Sequence, residues 1–304
     1  MKKSVLTMAL ALMGLFSTQT LNAAEINVHT PSGEQTVPQQ PKRVVVLDFA
    51  ALDIIRALGE KSTVVGVTKS GVLPQYLAEF KDAQYENIGS PKEADFEKIN
   101  ELKPDLIIAA TRQEQLWGRL QEIAPVYKFT FDYHDQYAGL EQNVLALGKI
   151  FDREAQAKEK LAALDKQISH LQASVAGKNA LVLLVNESNL SAYGDTSRYA
   201  MVYQKFGFTP VDKHIKSSTH GQKVGFEYVL EQNPDYLLVI DRSAAVTNKT
   251  NNAQKVLDNA IVKQTQAAKS DHIVYLDPAN WYLAFGGLEA TENMVKELES
   301  AVKK

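Results

Sequence analysis

Hydrophobic positions along this chain fall into short continuous blocks and longer stripes at steps of three or four, and their alternation predicts an α/β fold. The blocks at residues 44–47, 106–109, 180–185, 236–240 and 273–276 read as strands buried on both faces of a mainly parallel sheet. Shorter blocks at 64–67 and 124–129 read the same way. Amphipathic stretches at 51–58, 198–206, 256–263 and 288–302 read as helices. Residues 25–40 are polar and carry Pro31, Gly33 and Pro38, which predicts an edge hairpin ahead of the core. Residues 211–225 and 247–253 read as loops, and 280–287 as an aromatic-rich turn.

One unit occurs twice. FEKINELKPDLIIAATR at residues 96–112 matches FEYVLEQNPDYLLVIDR at 226–242 at a constant offset, Phe96 with Phe226 and Arg112 with Arg242. Each copy predicts a short helix opened by a glutamate, Glu97 or Glu227, that suits the positive end of the helix dipole. Pro104 and Pro234 end those helices, and a buried strand follows. The chain runs out along the helix and back along the strand. The unit therefore ends at the carboxyl edge of a parallel sheet, where α/β proteins bind ligands. Two copies predict two similar lobes.

Between them, Leu140, Val144, Leu147, Ile150, Phe151, Ala155, Lys158, Leu161, Leu164, Ile168 and Leu171 form one long stripe. A single helix there would span roughly 50 Å and act as a strut between the lobes. The alternative is two helices broken near Asp152. The expected organisation is a leader at 1–23, a lobe at 24–136, an interlobe helix at 137–174 and a second lobe at 175–304.

Lys2 and Lys3 before an apolar run at 5–16, with Ala23 at the cleavage point, predict a secretory signal peptide rather than a membrane span. The absence of cysteine excludes disulfides and an anchor through an N-terminal cysteine, so the expected location is the periplasm. A net charge of −3 and a pI near 6.1 give no sign of nucleic-acid binding.

Candidate chemistry centres on arginine. Arg112 and Arg242 are equivalent through the repeat, and Arg198 follows a Gly-Asp turn. Three guanidinium groups at one cleft would grip an anionic, oxygen-rich ligand by paired hydrogen bonds. His220, in the loop before Glu227, and Tyr282, in the aromatic turn, are further candidates. The plainer alternatives are surface arginines paired with carboxylates, a solvated histidine and a tyrosine packed beside Trp281. No Gly-x-Ser-x-Gly elbow, His-Glu-x-x-His or phosphate-cradling glycine loop is present, and the histidines are scattered. An enzyme is therefore not expected.

These motifs carry a resemblance over nearly the whole chain past the leader. PKRVVVLDFAALDIIRALG and the two repeat copies resemble the substrate-binding proteins of iron-siderophore and cobalamin ABC importers. SAYGDTSRYAMVYQKFG, STHGQ and DPANWYLAFGGLEA resemble the ferric catecholate (enterobactin-like) subgroup. The resemblance implies the class III periplasmic binding fold, two Rossmann-like lobes joined by one long α-helix, with little lobe closure. It also implies that Arg112, Arg198 and Arg242 surround catecholate oxygens, that His220 and Tyr282 complete the iron shell, and that Glu97 and Glu227 dock an inner-membrane ABC permease. No cofactor is permanently bound on this reading; Fe(III) arrives within the siderophore, and the protein acts as a monomer. No further aromatic platform is legible. Haem or cobalamin on the same scaffold, or a periplasmic siderophore hydrolase, are the competing expectations.

Overall fold

The computed structural model describes residues 24–216, 218–247 and 251–303. The expected leader at 1–23 lies outside the described residues, as does the middle of the expected loop at 247–253. The chain opens with the expected hairpin, β1 (Glu25–Thr30) and β2 (Gly33–Pro38), paired antiparallel from Glu25↔Pro38 to Thr30↔Gly33.

The first sheet comprises β3 (Val44–Val46), β4 (Val64–Val67), β5 (Glu86–Asn87), β6 (Leu106–Ala110) and β7 (Val126–Phe129). Its order is β5-β4-β3-β6-β7, parallel throughout. The second sheet comprises β8 (Asn179–Asn186), β9 (Asn189–Tyr193), β10 (Thr209–Pro210), β11 (Gln222–Val224), β12 (Tyr236–Asp241) and β13 (Ile273–Leu276). Its order is β11-β9-β8-β12-β13, with β10 also on β8. Strands β8, β10, β12 and β13 are parallel, whereas β9 and β11 are antiparallel additions. The sequence reading placed no strand at either position.

The repeated unit sits in equivalent places, since β3-β6-β7 and β8-β12-β13 share one order and direction. Its helices span Phe96–Glu101 and Phe226–Gln232. In both copies the residue before the proline turns left-handed, Lys103 at φ 48° and Asn233 at φ 45°, which ends the helix and turns the chain towards its strand. The aspartate after each proline then holds the strand that begins the sheet. Asp105 accepts from the backbone N–H groups of Lys42 and Arg43, and Asp235 from that of Asn179.

Continuous apolar runs arise because alternate residues enter different cores. Val44, Val46, Leu106, Ile108, Val182 and Ile240 face one central core shared by both sheets. Val45, Ile107 and Ala109 enter a second core outside the first sheet, and Leu181, Leu183, Leu237 and Val239 a third outside the second. Each sheet is thus covered on both faces.

The strut is not one helix but follows the alternative expectation, a break near Asp152. Two helices, Gln136–Ile150 and Glu154–Val175, meet at Asp152, which adopts φ 57°. The second folds back along the first, because the Tyr137 hydroxyl donates to Asp165 at 2.9 Å across the pair. The apolar stripe changes phase at the break: Ala155 and Lys158 are exposed, and Ala157, Leu161, Leu164, Ile168, Leu171 and Val175 are buried. The 22-residue second helix remains the long element between the sheets.

The terminal helix, Leu288–Val302, ties the two halves together. Its first backbone N–H groups, on Glu289 and Ala290, donate at 2.9 and 2.8 Å to Asp53 in the Phe49–Ala57 helix. Tyr76 also donates to Asp53 at 2.7 Å. Arg56 bridges Glu79 and Glu289 beside it. Among the described residues no helix is long and apolar enough to cross a membrane.

Candidate functional site

The site forms where the central strands of the second sheet end. Val185 on β8 pairs with Asp241 on β12, so the next residues, Asn186 and Arg242, emerge side by side. Arg242 Nη1 donates to Asn186 Oδ1 at 2.8 Å and Arg242 Nε to the Tyr282 hydroxyl at 2.9 Å. Asp241 fixes the following turn, accepting from Ala244 N at 3.0 Å and Ala253 N at 2.8 Å.

Arg198 approaches Tyr282 from a different element. Its guanidinium carbon lies 4.5 Å from the Tyr282 ring centroid, and Nη2 donates to the Tyr282 carbonyl at 3.1 Å. The Arg198 backbone is held by Gln136, whose amide donates to the Ser197 and Arg198 carbonyls and accepts from Met201 N. The helix expected at 198–206 is a short one, Met201–Gln204, so this pinning does what a longer helix would have done.

Tyr282 is therefore the node. Burial pushes its phenol up, but the Arg242 hydrogen bond and the charges of Arg198, Arg242 and Arg112 outweigh it and hold the phenol below its ordinary value of 10.0. A hydroxyl poised this way gives up its proton more readily to a hard cation. Arg112 follows β6 on the first lobe, is exposed, and reaches this group through its field; burial raises the Asp48 carboxyl, and Arg112 offsets part of that rise.

His220 is exposed, and among the described residues no hydrogen bond joins its ring to Tyr282 or the arginines. Its neighbour Gly221, at φ +72°, lies against Tyr193, where a Cβ would come within 2.8 Å of the ring. Tyr193 packs edge-on to Tyr199 with centroids 4.8 Å apart, and Tyr199 packs edge-on to Phe285 at 5.5 Å. This aromatic block is part of the buried core and packs beneath Arg198, whose guanidinium carbon lies 5.5 Å from the Tyr199 ring centroid. Asn186, Tyr193, Tyr199 and Gln136 were all missed as site-forming residues. Their only linear signal was proximity to the end of a strand or to Arg198.

The first lobe closes on the site through Phe131, whose ring occupies the space at Gly286. Gly286 has φ +90°, and a Cβ there would lie 1.9 Å from Phe131 Cε1, so only glycine fits. Glu97 and Glu227 are both exposed in the first turns of the repeated helices. Among the described residues no group of three His, Asp or Glu side chains could hold a metal ion.

Two α/β lobes with long interlobe helices and a cationic, tyrosine-centred site define a ligand-binding protein of the class III periplasmic type. The chain belongs to the periplasmic binding protein family, whose model matches residues 44–279. It is 43% identical over 270 residues to the petrobactin-binding protein YclQ of Bacillus subtilis, covering 88% of this chain and 84% of YclQ. The YclQ crystal structure superimposes with a TM-score of 0.89 at 41% identity, covering 92% of this chain and 99% of that one. The periplasmic catecholate-siderophore binding protein VctP of Vibrio cholerae superimposes with a TM-score of 0.85 at 35% identity, covering 91% and 100%.

Proposed function

We propose that this protein binds a ferric catecholate siderophore between its lobes and delivers it to an ABC permease for iron uptake. The observation that carries the reading is the convergence on Tyr282 of Arg242, at its hydroxyl, and Arg198, at its ring and carbonyl, with Arg112 adding its charge from the other lobe. Catecholate oxygens are hard anionic donors that suit ferric iron, and their complexes keep negative charge for arginines to meet. The names of the relatives, a petrobactin-binding and a catecholate-siderophore binding protein, support the same ligand class.

A complex with only two catecholates carries a single negative charge and leaves two iron positions open. Tyr282 and His220 are the residues assigned to fill them, with the exposed His220 loop moving onto the ligand. A complex with three catecholates is saturated and would be held through the arginines alone. Glu97 and Glu227, exposed and equivalent on the two lobes, are assigned to the permease contact. The site of action on this reading is the periplasm, with a monomer that performs no catalysis and keeps no resident cofactor.

The test is a fluorescence titration with iron-loaded catecholate siderophores and, separately, haem. Trp281 is buried against Tyr199 and directly precedes Tyr282, so ligand capture is expected to quench its emission. Saturable quenching by ferric catecholates at far lower concentration than by haem is expected. Preference for haem would transfer the assignment to that ligand, and turnover of intact siderophore would make the protein an enzyme.

A further inference from the structure

The turn that carries Tyr282 is gripped from behind by one carboxylate. Glu297, on the terminal helix, accepts from the Asp277 backbone N–H at 2.9 Å through one oxygen and from the Trp281 indole N–H at 2.8 Å through the other. These contacts hold the approach to and the middle of a turn of π-helix, Ala279–Leu283, whose geometry is rare and recurs at functional sites. Trp281 is 1% exposed and wedged against Tyr199 and Phe206, so its indole has a single orientation. Tyr282 follows it directly, with its carbonyl on Arg198 and its hydroxyl on Arg242.

We infer that Glu297 is a positioning residue for ligand capture: by holding Asp277 and Trp281 it sets the height and direction of the Tyr282 phenol against Arg242. A carboxyl suits this place because it offers an acceptor oxygen to each N–H. A carboxamide at the same position would accept one N–H and point its own N–H₂ at the other. That leaves a buried donor without a partner and pushes the turn off its seat. Residues that orient a ligand from behind in this way typically alter metal affinity by roughly tenfold to a hundredfold when replaced.

The inference rests on the reading of Tyr282 as a ligand-binding group, so the experiment has an arm that needs no ligand. The first arm is a crystal structure of the ligand-free Glu297→Gln protein. The Tyr282 hydroxyl, 2.9 Å from Arg242 Nε in the wild type, is expected to have left that hydrogen bond in the variant. The second arm is the affinity for an iron complex of a tetradentate bis-catecholate, expected to fall at least tenfold in the same variant. Trp281→Phe, which removes the indole donor and leaves the carboxylate, is expected to move both readouts the same way and keeps the test open if Glu297→Gln does not fold. A Tyr282 hydroxyl still on Arg242 in the folded Glu297→Gln protein overturns the inference, whatever happens to affinity. If the wild type binds no ferric catecholate, the functional reading fails and the Tyr282–Arg242 hydrogen bond still decides this one.

Discussion

Replacing Asp53 with asparagine probes the link that joins the two halves of the molecule. The carboxylate is fully buried and accepts three hydrogen bonds, from Tyr76 at 2.7 Å, Glu289 N at 2.9 Å and Ala290 N at 2.8 Å. Burial disfavours its charge, and the three donors favour it. Burial wins, and the carboxyl is pushed from its ordinary 3.8 up to about 6. A carboxyl that binds its proton more tightly when folded stabilises the fold below pH 3.8 and loses that contribution as pH rises to about 6. At about 1.4 kcal/mol per pH unit, the loss is roughly 3 kcal/mol. Asparagine cannot titrate, so the stability of Asp53→Asn relative to wild type is expected to improve by roughly that amount between pH 3.5 and pH 7. Urea unfolding of both proteins at the two pH values measures it, with the other titrating groups cancelling in the difference. A difference that does not change with pH, or that changes in the opposite sense, refutes the reasoning. The opposite sense would mean that the donors outweigh burial.

Three further outcomes follow from the same geometry. Arg242→Ala removes a charge-assisted hydrogen bond and is expected to cost about 2 kcal/mol of ferric catecholate binding, roughly thirtyfold in affinity, measured by fluorescence titration. A loss under threefold contradicts the role given to this arginine. Gly286→Ala forces a Cβ into the Phe131 ring at a left-handed position, and urea unfolding is expected to show about 3 kcal/mol of lost stability. Finally, a core continuous between the sheets and the Asp53 contact limit hinge motion. Small-angle scattering is expected to show no resolvable compaction when the ligand binds, and a clear fall in radius of gyration would contradict it.

What the sequence made legible was whatever repeats or depends on local chemistry. The duplicated unit located both helix–strand pairs, and each proline marked a helix end that the structure resolves as left-handed residues at Lys103 and Asn233. The terminal helix, Leu288–Val302, has the predicted extent because Gly287 and a strong apolar stripe define it. The break at Asp152 was harder to see. Neither glycine nor proline marks it, and the spacing of Leu140 to Leu171 stays near helical across it. It was expected only as the alternative to a single helix, and the phase change from Ala155 to Ala157 that decides between them requires knowing which positions are buried. Strand β11, Gln222–Val224, is a short polar edge strand with no apolar block to announce it. The site divides in the same way. Repeat equivalence singled out Arg112 and Arg242, whereas Asn186 and Gln136 act through pairings between segments far apart in the chain.

The central claim is that Tyr282, set between two arginines, meets the iron of a catecholate complex. The most direct test is the visible charge-transfer spectrum of a tetradentate ferric bis-catecholate bound to wild type, Tyr282→Phe and His220→Ala. Direct ligation predicts a wild-type band that differs from the free complex and is altered in each variant. A bound complex with the same band in all three proteins would contradict the account.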